Sequence, residues 1–191
     1  MMNNYEATLF KDKQIGFFIY LFVEAIMFLT LFATYLVFTP SSEGPHPSKV
    51  FEAKSVIISS VFLLSSSGTL WLAERGLKDR QLKKLLPWLA ITLLFGLIFL
   101  GLEIREFSKY VGEGYTLSTS SFLSSYYVLV GLHASHVAFG CAWMTILFIQ
   151  LKRAIPYSLY IEKFKTFSYY WHFVDVIWVF ILLIVYVRYL I

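Results

Sequence analysis

Five stretches of this chain stay apolar for about the length that a helix needs to cross a hydrocarbon core, roughly 20 residues for about 30 Å. They fall at about 15–38, 55–73, 85–104, 122–151 and 168–187. The segments between them are short and polar. "TPSSEGPHPSK" after the first run is rich in Pro, Gly and Ser and predicts a turn-forming loop. "RGLKDRQLKKLLP" joins the second and third runs, and "REFSKYVGEGYTLSTSS" leads into the fourth, where Gly112 and Gly114 argue against one continuous helix. The pattern predicts an all-α membrane protein, a five-transmembrane-helix bundle forming a single membrane domain over residues 1–191.

Polar groups inside the runs interrupt this pattern. In "GFFIYLFVEAIMFLTLFATYLVF" one carboxyl, Glu24, stands near the middle of the first helix. An ionised carboxylate there costs several kcal/mol, so the group must be neutral, paired or turned to a polar crevice. Tyr20 lies one turn away on the same face and is a candidate hydrogen-bond partner. "VGLHASHVAFGCAW" in the fourth helix sets Gly131, Ala134, Ser135, Ala138 and Ala142 in one stripe of small residues, suited to close approach by a neighbour. His133, His136 and Gly140 lie opposite. Interhelical hydrogen bonding by neutral imidazoles is the favoured reading of the two histidines; haem ligation would need a partner such as His172.

In the fifth run, "YYWHFVDVIWVFILLIVY", His172 and Asp175 are three apart and share a face. The expected span puts them about one turn inside its end, with Tyr169, Tyr170 and Trp171 as an aromatic belt. Glu103 and Glu106 flank Arg105 at the end of the third run, and a solvated, charge-balanced helix end is expected there.

Composition sharpens the class. The 191 residues are 58% hydrophobic, 19% aromatic and 15% charged, far from an ordinary soluble domain. The first run is too long for a secretory signal and lacks a small-residue cleavage site, so a retained helix is expected. The lone cysteine, Cys141, offers neither a disulfide framework nor a cysteine-based metal site. No catalytic set and no metal site are expected. Eleven Lys and Arg fall on the side of the N-terminus and five on the other, which predicts a cytoplasmic N-terminus and an outside C-terminus. The formal charge of +4 therefore reports topology, and nucleic acid is not an expected partner. The residues alone leave a small proton-coupled transporter using Glu24 and Asp175 open.

Four segments, "FFIYLFVEAIMFLTLFATYLVF", "GLEIREFSKYVGEGYTLSTSSF", "YYVLVGLHASHVAFGCAWM" and "YYWHFVDVIWVFILLIVYV", occur in an order and spacing that resemble subunit III of the haem–copper terminal oxidases, in its short bacterial form with five helices. The resemblance implies a multi-pass protein of the bacterial cell membrane without redox cofactors of its own. It would dock directly on subunit I, which with its partners carries the haems and copper, in a complex with subunits II and IV. Such a subunit supports sustained oxygen reduction and proton pumping, and phospholipid occupies a V-shaped cleft that separates the first two helices from the rest.

By resemblance, Glu24 matches a buried family glutamate, beside that lipid cleft, that reacts with hydrophobic carbodiimides. His133 and His136 match "HGxHV", with Ala134 in place of the family's glycine. His172 and Asp175 match "WHFxDxxW", and Glu106 an acidic element after the third helix. "HVAFG" resembles the cytochrome c oxidases and "GEGYTLSTS" the quinol oxidases. Cytochrome c is the narrowly favoured electron donor, with quinol the alternative.

Overall fold

The computed structural model describes residues 4–39, 53–79, 82–152 and 156–187. Five helices follow in order: α1 Asn4–Val37, α2 Ala53–Lys78, α3 Leu82–Gly112, α4 Ser121–Lys152 and α5 Tyr157–Ile181, the last continuing as a π-helical stretch, Leu182–Val187. Among the described residues, all five are long and apolar enough to cross a membrane. The Pro-rich loop after α1 lies outside the described residues beyond Thr39.

The helices run past the apolar stretches because their buried stripes do. In α5, Tyr160, Phe164, Phe167 and Ser168 are buried ahead of Trp171, so the period continues through "YIEKFKTF". In α3 the stripe Phe99, Glu103, Glu106, Tyr110 is buried to within two residues of the helix end. That end is a Schellman motif: the Tyr115 N–H donates to the Tyr110 carbonyl at 2.9 Å and the Gly114 N–H to that of Val111 at 3.1 Å. Gly114 has φ 87°, a conformation only glycine adopts cheaply. Six residues later Ser120 caps α4, its hydroxyl accepting from the Leu123 N–H at 3.2 Å.

The most extensive pairing is α2 with α3. Helix α4 packs on α3, α5 and α1, and α5 reaches α2 as well. The expected pairing of the first two helices against the others, with a cleft between, is therefore corrected: α1 lies on α4 and α5, whereas α2 joins α3. Their partners follow from their stripes. Phe28, Phe32 and Tyr35 of α1 are buried, with Phe28 set edge-on to His136 and Tyr35 near Phe122, while Phe22, Val23 and Leu29 remain exposed.

The core is aromatic, and its indoles are held by hydroxyls of α2. Trp171 and Trp178, both fully buried, donate from Nε1 to Ser66 at 2.8 Å and to Ser60 at 3.1 Å. A buried indole N–H without an acceptor would cost free energy, and a serine offers one without holding the helices apart. Trp171 is also wedged between two glycines. A Cβ on Gly96 of α3 or Gly140 of α4 would fall 2.9 Å or 2.5 Å from its ring. The expected aromatic belt at residues 169–171 is corrected accordingly: Tyr170 and Trp171 are core, and only Tyr169 is exposed.

Candidate functional site

Glu24 on α1 meets His136 on α4, with 3.2 Å between Oε2 and Nε2. Sequence reasoning foresaw no base near this carboxyl, because 112 residues separate the two; packing α1 on α4 supplies one. The imidazole is held from its other side, Nδ1 lying 2.8 Å from the Leu132 carbonyl one turn back. A carbonyl only accepts, so Nδ1 carries a hydrogen and Nε2 is left to face Glu24. One proton then joins Nε2 to Oε2, resting on the carboxyl or on the imidazole. In both cases the pair is neutral overall, which is how two ionisable groups can sit at membrane depth.

The surroundings steady the pair while leaving it reachable. The Tyr170 hydroxyl donates to the His136 carbonyl at 2.9 Å, and the Phe28 ring stands edge-on to the imidazole with centroids 5.2 Å apart. Side chains of Glu24 and His136 keep 15% and 12% exposure, and a cavity of about 220 Å³ lined by Tyr20, Ser135, His136, Phe139 and Tyr170 opens beside them. Ser135, Ala138 and Ala142 are exposed, so none of the described residues covers that part of the small-residue stripe.

His133 does not join the pair. Three residues along the helix, its side chain turns toward α3 and α5, where it stacks on Trp178 at 5.1 Å and meets Phe99 edge-on, with Phe28 of α1 edge-on as well. Neither ring nitrogen has a hydrogen-bond partner among the described residues. The expectation of an interhelical hydrogen bond is corrected here: His133 packs as an aromatic.

His172 and Asp175 are brought together by a residue that sequence reasoning missed, Ser67 of α2. Its hydroxyl lies 3.0 Å from His172 Nδ1 and donates to Asp175 Oδ2. Because α5 begins at Tyr157, the pair sits near the middle of the helix, not one turn inside its end. Ser168 donates to Glu74 farther along the same α2–α5 seam. The repeated serines of "SVIISSVFLLSSSGT" were a readable signal for this seam.

The expected solvated end at Glu103 and Glu106 is overturned. Their exposures are 2% and 5%. Extension of α3 to Gly112 keeps them on its buried stripe, against α2. Ser55 donates to Glu106 at 2.6 Å and Tyr110 donates to its other carboxyl oxygen. Nearby, the hydroxyls of Tyr126 and Tyr186 meet at 2.9 Å. Among the described residues no group of three His, Cys, Asp or Glu side chains could hold a metal.

Residues 2–189 match the family model of cytochrome c oxidase subunit III. The chain belongs to that family. Cytochrome c oxidase subunit 3 of Bacillus sp. (strain PS3) is 45% identical over 179 residues, covering 92% of this chain and 86% of that protein. Quinol oxidase subunit 3 of Bacillus subtilis (strain 168) is 42% identical over 178 residues, covering 93% and 87%. A probable quinol oxidase subunit 3 of Staphylococcus aureus (strain USA300) is 38% identical over 176 residues, covering 91% and 88%. Relatives named for both donors thus resemble this subunit III nearly end to end. Its helix α4 brings one histidine to a carboxyl on α1 and buries the other among aromatic rings, so the two imidazoles of "HASHV" have separate surroundings.

Proposed function

We propose that this chain is the cofactor-free third subunit of a proton-pumping haem–copper terminal oxidase that reduces oxygen to water. It docks directly on subunit I, in a complex with subunits II and IV, and supports the stability and proton uptake of the catalytic subunit, and lipid and oxygen access to it. The observation that carries this reading is the family match along almost the whole chain. The site accords with a supporting role: a neutral carboxyl–imidazole pair, partly exposed beside a cavity, can hold and pass a proton without acting on a substrate. The chain lies in the bacterial cell membrane with its N-terminus cytoplasmic, supported by the excess of Lys and Arg on that side. Phospholipid lies along the α1–α4 groove, where Leu31, Thr34, Phe38, Ser124 and Val128 help line a cavity of about 280 Å³.

Affinity purification from native membranes tests the assignment. Recovery with a haem–copper subunit I is expected; recovery without one would overturn it. Cytochrome c is the donor we favour, by a narrow margin given the identity to quinol oxidase subunits. The copurified subunit II decides the point: copper-binding Cys and His residues mark a cytochrome c oxidase, and their absence a quinol oxidase.

A further inference from the structure

Glu103 and Glu106 are nearly fully buried, one helical turn apart on α3, in a setting that the proposed supporting role does not use. Groups from every neighbouring helix face them: Ser55 and Ser59 from α2, Tyr126 from α4 and Tyr186 from α5, with Tyr110 on α3 itself. None of these is a cation. Lys109 pairs with Glu113 at 3.8 Å, and among the described residues no ion pair joins Arg105 to either glutamate. One oxygen of Glu103, Oε2, is buried with no hydrogen-bond partner among the described residues.

Two carboxylates buried side by side with neither cation nor proton would cost several kcal/mol each. A proton held by either of the two removes one charge and leaves the other carboxylate to accept from the hydroxyls around it. A metal cation is the other way to balance the pair. The donor set disfavours it: among the described residues no third carboxylate joins the two, both oxygens of Glu106 are engaged by Ser55 and Tyr110, and the mouth of the site is basic. That mouth is a cavity of about 340 Å³ lined by Ser55, Ile58, Leu102, Arg105, Glu106 and Lys109.

We propose that Glu103 and Glu106 form a proton-holding site, which exchanges one proton with the aqueous face at Arg105 and Lys109 through the Ser55 hydroxyl. Ser55 lies both in the cavity and 2.6 Å from Glu106. In release, with the acid proton on Glu106, the Ser55 hydroxyl turns from Glu106 to water in the cavity, and the Glu106 proton passes to the Ser55 oxygen as the Ser55 proton passes to that water; uptake is the reverse. No bond other than O–H forms or breaks, and the pair becomes one unit more negative. Both carboxyls stand on α3, whereas the Glu24–His136 pair joins α1 to α4, so the site constitutes a second proton-handling locus in this subunit.

Infrared spectroscopy of the intact oxidase complex tests the proposal. The protonated acid should give a carbonyl-stretch band that shifts on transfer from H2O to D2O, and Glu103→Gln and Glu106→Gln should each abolish that one band. Ser55→Ala should keep the band but slow its deuterium shift by about tenfold, as expected when a relay group is lost. This milder variant also serves if the glutamate variants fail to assemble. A band unchanged in both glutamine variants would overturn the proposal, as would an exchange rate indifferent to Ser55→Ala. Disappearance of the band on adding sodium or calcium ions would overturn it in favour of a metal cation site.

Discussion

Adding one methyl group at Gly140 tests how the core is built. The new Cβ would lie 2.5 Å from Cζ3 and 2.7 Å from Cε3 of Trp171. The indole has little room to yield: it also packs so close to Gly96 that a Cβ there would fall 2.9 Å from the ring, and its Nε1 is bonded to Ser66. Overpacking of this kind costs about 1–3 kcal/mol. The helix preference for Ala over Gly returns about 1 kcal/mol. The net loss is about 0–2 kcal/mol, or roughly 0–8 °C in the melting temperature of a domain of this size, whereas a glycine with open space around it gains about 1 kcal/mol on the same change. Gly68→Ala and Gly101→Ala are the controls, because a Cβ at either meets nothing within 4 Å and gains only the helix preference. Thermal unfolding of the purified complex should place Gly140→Ala clearly below both. Freeing the indole with Ser66→Ala should make the double variant less damaging than the sum of the singles. If Gly140→Ala melted together with the Gly101 control, the wedge would not be a constraint.

Glu24→Gln should leave assembly and the initial rate of oxygen consumption largely intact but shorten the time over which turnover is sustained; abolition of the initial rate in an assembled complex would refute a supporting role. A double-mutant cycle on Glu24→Ala and His136→Ala should show a coupling of about 1 kcal/mol in resistance to denaturing detergent, and strictly additive effects would exclude a direct pair. Ser67→Ala strips hydroxyl contacts from both His172 and the buried Asp175 and should cost about 1–3 kcal/mol. His172→Ala should cost no more than that, and a larger loss of complex yield for it than for Ser67→Ala would contradict the geometry. Tyr126→Phe or Tyr186→Phe alone should destabilise by about 1 kcal/mol through loss of the bond between the two hydroxyls, and the double variant should cost less than the sum of the singles.

The existence of five spanning helices was legible in the sequence because hydrocarbon imposes a length that apolar runs report directly. Their ends were not, since beyond the apolar run a helix continues wherever one stripe stays buried. Glu162, Lys163 and Lys165 hide such a stripe in α5, carried by Tyr160, Phe164 and Phe167. The same effect misled at Glu103 and Glu106. Arg105 between them suggested a wet helix end, yet of the three only Arg105 is exposed, while both glutamates lie on the buried stripe. For Glu24 the requirement for a partner could be deduced from cost alone. Its identity could not, because it depends on α1 lying against α4, and nothing local in either helix specifies that contact.

Helix α2 shows how much of the assembly rests on residues that carry no charge and little apolar surface. Along the α2–α5 seam the contacts fall in antiparallel order: Glu74 with Ser168, Ser67 with His172 and Asp175, Ser66 with Trp171, Ser60 with Trp178. The six steps from Ser60 to Ser66 rise about 9 Å and the seven from Trp171 to Trp178 about 10.5 Å, so both indoles find an acceptor in one register. Sliding α2 by a single turn, about 5.4 Å, would strand both N–H groups and the Asp175 carboxyl at membrane depth together. Lipid offers no water to repair them, and aliphatic packing alone discriminates weakly between registers. The serines therefore fix the position of α2 against α5. Since α2 also carries Ser55 and Ser59 to the two α3 glutamates, the same register that satisfies the tryptophans sets the donors for that carboxyl pair.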